Sequence, residues 1–151
     1  MKNTKKLQIE QLDGKLAGYV NFPDVPAKGW IHGIRTALKM SFRQFAGRLG
    51  ITAQSAQEIE EREKNGNISL KSLREVASAL NTRLVYGFVP RDSSFEEMLE
   101  KQALIVARKI VKRTDNTMKL EDQQVSKVRV EKAVRELADE IKREMPRYLW
   151  D

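Results

Sequence analysis

The chain has 151 residues, 28 lysines and arginines against 21 aspartates and glutamates, and a net charge of +7. With no cysteine and one histidine it lacks the side chains for disulfides, thiol catalysis, iron–sulfur clusters and ordinary zinc sites, so no metal or other cofactor is expected. The cationic excess suits a polyanion, because each lysine or arginine brought to a phosphate releases condensed counterions; a solvated basic surface produces the same totals.

The opening stretch MKNTKKLQIEQLDGK has no apolar core of signal-peptide length, and no segment approaches the span of a membrane helix. A cytoplasmic protein with no membrane partner is the expectation. From Leu7 to Tyr19 a weak helical pattern carries Ile9, Leu12 and Leu16, interrupted by Gly14 and Gly18. The prolines and glycine of NFPDVPAKGW break regular structure, so residues 1–27 read as an extension and linker.

Helices follow by periodicity and caps. Ile31, Ile34 and Leu38 predict a short helix ending near Met40. Ser41 can cap a second, with Phe42, Phe45, Ala46 and Leu49 on one stripe, before Gly50 permits a turn. Thr52 can cap a third through Glu63, with Ala56 and Ile59 facing inward, and Ser69 a fourth that stops at Asn81. RLVYGFV, from Arg83 to Val89, is rich in β-branched and aromatic residues and predicts one short strand. Beyond it, a helix is predicted from Ser93 or Ser94 to about Arg113. After TDNT, another runs from near Lys119 to Glu144, with Val130, Val134, Leu137 and Ile141 at heptad-like spacing. The expected organisation is a domain over 28–90 and a helical C-terminal extension over 91–151 for dimer or partner contacts.

The stretch FRQFAGRLGITAQSAQEIEE has the skeleton of a helix-turn-helix. Ala46 is small where the second helix crosses, Gly50 supplies a left-handed turn, and Ile59 seals the pair onto the core. Thr52, Ala53, Gln54, Ser55, Gln57 and Glu58 are then the candidate base-contacting residues in a major groove. Gln54 and Gln57 suit adenine and Ala53 a thymine methyl, whereas Glu58 suits either cytosine N4 or plain solvent. Ser41, Arg43, Arg48, Arg62 and Lys64 are the candidate phosphate contacts, with Thr52 as well, and with Arg35 added if it shares their face. One such domain makes few base contacts, so a homodimer on a two-fold double-stranded DNA operator is expected, its recognition helices roughly 34 Å apart.

Other features admit plain readings. RKIVKR, Arg108 to Arg113, can follow DNA backbone, meet an acidic partner or be a solvated face; RLVYGFV can pair with its twin or take a partner strand at an exposed edge, or be a covered strand; RYLWD can dock on its own core, a twin or another protein. His32 has no second ligand or base near it in sequence and reads as structural. The carboxylates lie among lysines and arginines as solvated pairs do, and no glycine-rich phosphate loop follows a strand, so an enzyme is not expected.

MSFRQFAGRLGITAQSAQEIE followed by ISLKSLREVASAL resembles the Xre and phage-repressor class, which implies an all-α, lambda-repressor-like helix-turn-helix bundle. That class usually has a glutamate-x-glycine turn after its third helix, where this chain reads EEREKNGNISL. GWIHGIRTALKMSFRQFAGRLGIT, EEREKNGNISLKSLREVASALNTRLVYGFVP and TMKLEDQQV are similar to the mobile mystery protein A family over about residues 28–125. The resemblance implies a transcription regulator encoded beside a Fic-domain partner. A toxin–antitoxin pairing follows from it, with neutralisation of the Fic protein as the alternative role. Fic antitoxins carry S/T-x-x-x-E-G/N with an inhibitory glutamate. Ser93 to Glu97 before Met98, and Thr117 to Glu121 before Asp122, match that pattern only in part, and no inhibitory glutamate is assigned.

Overall fold

The computed structural model describes residues 2–115 and 123–151, which form an all-α protein with no strand among them. Its helices are α1 (Lys2–Leu16), α2 (Trp30–Ala37), α3 (Phe42–Leu49), α4 (Ala53–Lys64), α5 (Leu70–Ala79), α6 (Phe95–Asp115) and α7 (Gln123–Glu144). None of the described helices is long and apolar enough to cross a membrane. The chain divides into two compact units, one of residues 21–87 and one of residues 1–20 with 88–151.

In the unit of residues 21–87, caps written into the sequence set where each helix begins. Ser41 Oγ accepts from Gln44 N–H at 3.1 Å while Gln44 Oε1 accepts from Ser41 N–H at 2.8 Å, a reciprocal box at the start of α3. Thr52 and Ser69 each accept from the backbone N–H three residues on, at 3.1 Å, and start α4 and α5. Gly50 ends α3 at φ 69°, a left-handed conformation costly for a residue with a Cβ, and lets the chain turn into α4 within three residues. The core joins Ile31, Phe45, Ala46, Ala56, Val76 and Leu80, with Phe45 and Ala56 wholly buried. Ala46 and Ala56 have the small side chains that let α3 and α4 approach closely.

The second unit brings the chain's two ends together. The apolar faces of α6 and α7 supply Leu99, Ala103, Val106, Ala107, Val134, Ala138 and Ile141, and a 3-10 turn at Arg147–Trp150 adds Leu149, which is fully buried. Gln102 donates to the Leu149 carbonyl at 2.8 Å and fixes that turn against α6. Ile9 of α1 packs on the same core, and the Asp13 carboxylate accepts from the backbone N–H groups of Phe95 (2.8 Å) and Glu96 (3.2 Å). It thereby caps the first turn of α6, where orphan donors and the helix dipole both favour an anion.

Two expectations change. Residues 83–89 form no strand: they make no backbone hydrogen bond to another described segment, and Val85, Tyr86, Phe88 and Val89 are exposed. Their composition raises strand propensity, but propensity supplies no partner ladder. Residues 1–27 are not an extension followed by a linker throughout, because α1 is longer than its weak periodicity suggests and belongs with α6 and α7. Among the described residues before α2, only 20–29 lie outside a helix, and there Phe22 meets Trp30 edge-to-face at 6.3 Å. Of the two partial antitoxin matches, Thr117 to Glu121 lies outside the described residues. Glu97 closes locally, accepting from Ser93 N–H at 3.1 Å and pairing with Lys101 at 3.6 Å. The Ser93 hydrogen bonds, hydroxyl first, hold its carboxyl below the usual range.

Candidate nucleic-acid interface

At 100° per residue, α4 has two opposed faces. Ala56, Ile59, Glu60 and Glu63 turn toward α2 and the core, and each is buried or half-buried. Gln54, Glu58 and Glu61 lie on the opposite side with Gln57 and Arg62 flanking them, and all five are exposed.

The inward face holds two carboxylates, both missed from sequence. Glu60, 7% exposed, accepts from Arg35 Nε at 2.7 Å and Nη2 at 3.0 Å in the two-pronged geometry a guanidinium offers a carboxylate. His32 Nδ1 lies 2.6 Å from Glu60 Oε1. Burial alone pushes the Glu60 carboxyl up, but the Arg35 and His32 hydrogen bonds and charges outweigh it, and the carboxyl sits below its usual value. Since an ionised carboxylate only accepts, His32 Nδ1 carries the hydrogen. Arg35 is raised in turn, chiefly by the Glu60 hydrogen bond. Its guanidinium also donates to the Met40 carbonyl at 3.0 Å and lies 3.9 Å from the Phe42 ring centroid.

Glu63 does a second job. Its Oε1 accepts from Ile31 N–H at 2.8 Å, capping the first turn of α2 from across the unit. Gly29, at φ 88°, makes room for it: a Cβ there would stand 2.9 Å from the Glu63 carboxyl carbon. One helix therefore positions α2 through Glu60 and Glu63 and presents a polar face on its other side. The signal was legible, because Glu60 and Glu63 fall in register with Ala56 and Ile59 on a 3.6-residue period. Reading apolar residues alone as the inner face hid it.

The predicted site residues sort unevenly. Ala53, Gln54, Gln57 and Glu58 are exposed along the amino-terminal half of α4. Thr52 and Ser55 are committed to the cap, with Thr52 Oγ1 also donating to Ser55 Oγ at 2.9 Å, so their first role is to fix where the helix begins. Ser41 is likewise occupied in its box with Gln44. Arg43 and Arg62 are exposed and make no ion pair among the described residues. Lys64 lies at the far end of α4, 4.0 Å from Glu61. Arg48 is exposed but donates to the Ala79 carbonyl at 3.2 Å, at the carboxyl end of α5. Arg35 does not share the outer face; its charge is spent on Glu60 inside the unit.

In the other unit, Arg108 of the basic run pairs with Glu131 at 2.7 Å, which neutralises part of that run. The RYLWD end docks through Leu149 and leaves Tyr148 and Trp150 exposed. Among the described residues no cluster of histidine and carboxylates is arranged to hold a metal ion. No protein-family model, curated protein or solved structure matches this chain.

Proposed function

We propose that residues 21–87 are a lambda-repressor-like helix-turn-helix domain and that the protein is a sequence-specific transcriptional regulator, reading double-stranded DNA with α4. The observation that carries the proposal is the outer face of α4: Gln54, Gln57 and Glu58 stand free at its amino-terminal half, with Ala53 exposed at the helix start, while Glu60 and Glu63 lock its inner face. A rigidly held helix with an amino-terminal polar face is what major-groove readout requires. Gln54 and Gln57 offer the amide pair that matches adenine N6 and N7, and Ala53 a methyl for thymine. Arg43 and Arg62 are the cations best placed to meet phosphates, with Ser41, Arg48 and Lys64 in support. A homodimer on a two-fold operator supplies the affinity that one such face lacks.

The resemblance to mobile mystery protein A adds a Fic-domain partner encoded alongside and autoregulation of the shared operon. The unit of residues 1–20 and 88–151 has its own core and exposes Met98, Ile105, Tyr148 and Trp150, which favours a second reading in which that unit binds and neutralises the Fic protein.

Fluorescence anisotropy of the whole protein on a duplex from upstream of its own coding sequence, against a scrambled duplex, tests the first reading. At least tenfold tighter binding to the upstream duplex is expected, in line with the ratios separating specific from non-specific binding. Equal binding to both would refute it. Co-purification with the protein encoded next to it, with no shift of promoter DNA, would replace it by the second.

A further inference from the structure

Resting on the DNA reading above, we infer that Glu58 is the residue that fixes a cytosine in the operator. The four glutamates of α4 have different fates. Glu60 is clamped by Arg35 and His32, Glu63 caps α2, and Glu61 lies near Lys64 at the carboxyl end of the helix. Glu58 alone is exposed with neither ion pair nor hydrogen bond among the described residues, although Arg62 stands one turn away on the same helix. It sits directly outward, one turn beyond Gln54, where a groove-bound helix comes nearest the base edges.

A free carboxylate carried between two rows of phosphates is repelled unless a donor meets it. The major groove holds two amino donors, adenine N6 and cytosine N4. Adenine places the acceptor N7 beside its donor, so a carboxylate gains one hydrogen bond and meets one lone pair. Cytosine N4 has the paired guanine O6 on one side but a C–H on the other, whereas adenine N6 lies between two acceptors, its own N7 and thymine O4. Guanine and thymine present acceptors to the same approach. The Glu58 carboxylate thus favours cytosine by attraction, gains less from adenine because neighbouring acceptors offset its one hydrogen bond, and rejects guanine and thymine by repulsion. The neighbouring Gln54 is an amide and keeps its preference for adenine.

The test is selection of duplexes from a randomised pool by the whole protein and by the Glu58→Ala and Glu58→Gln variants, followed by affinity measurement on the selected sequence and its single-base changes. For the wild type, the expected operator has one cytosine per half-site whose change to thymine weakens binding about tenfold. For Glu58→Ala that ratio falls to about one, with preferences elsewhere kept and binding to random duplex strengthened. Glu58→Gln shifts the same position toward adenine, since an amide both donates and accepts. A wild-type consensus that Glu58→Ala leaves unchanged would overturn this inference alone. Failure of the wild type to enrich any sequence would overturn the DNA reading and this inference with it.

Discussion

The two units are held together by different physics. The core of residues 1–20 with 88–151 is aliphatic, built from leucine, valine, isoleucine and alanine, and its ion pairs, such as Arg108 with Glu131 and Lys142 with Glu100, lie at the surface. The unit of residues 21–87 has a smaller apolar core and places a nearly buried carboxylate, Glu60, between Arg35 and His32. Apolar packing is non-directional and tolerates exchange of similar shapes, whereas a two-pronged ion pair admits one orientation. Base readout by the outward side chains of α4, as proposed, needs the second kind of support. The difference teaches that the polar groups inside residues 21–87 orient α4.

Breaking the clamp should give the largest effect. Glu60→Ala leaves Arg35 and His32 facing an empty, poorly hydrated site and is expected to destabilise residues 21–87 by about 4 kcal/mol, read by hydrogen exchange of amides in that unit. Ile141→Ala should cost the other unit about 3 kcal/mol through a cavity, with protection lost across α6 and α7. If Glu60→Ala left exchange in α2 and α4 unchanged, the clamp would not be holding them.

Acid sharpens the same contrast. Because folding lowers the Glu60 carboxyl below its ordinary value of 4.5, its contribution is fully present above that pH and is lost as pH falls through the lower folded value. Residues 21–87 should therefore open first on acidification below about 4.5, since the lowered carboxyls of the other unit, Glu97 and Glu131, sit in exposed pairs that add little. Glu60→Gln should remove most of that pH dependence. Glu63→Ala is the mildest change, costing about 1 kcal/mol through the lost cap on α2, seen as faster exchange confined to the first turn of that helix.

Much of this was legible in the sequence where the controlling interaction is local. Ser41, Thr52 and Ser69 mark helix starts and Gly50 marks a turn, because a cap or a left-handed glycine depends on neighbours within a few residues. What depends on distant partners was not legible. RLVYGFV has the composition of a strand, yet it makes no backbone hydrogen bond to another described segment. Asp13 gives no local sign that it will cap α6, about eighty residues away. Arg35 reads as a phosphate contact only on the condition that it shares the outer face, and nothing near it in sequence announces Glu60. In the candidate site, the exposure of positions 54, 57 and 58 and the inward register of 60 and 63 follow from helical period; that Glu60 and Glu63 find their partners on α2 required the tertiary contact.

The most direct test compares the wild type with Gln54→Ala/Gln57→Ala on the operator duplex and on random duplex across a range of salt concentrations. The account predicts that the double variant loses its preference for the operator, by tenfold or more, while its affinity for random duplex and the slope of log affinity against log salt stay as in the wild type. Equal weakening on both duplexes, or an operator preference that survives the double change, would contradict base readout by α4.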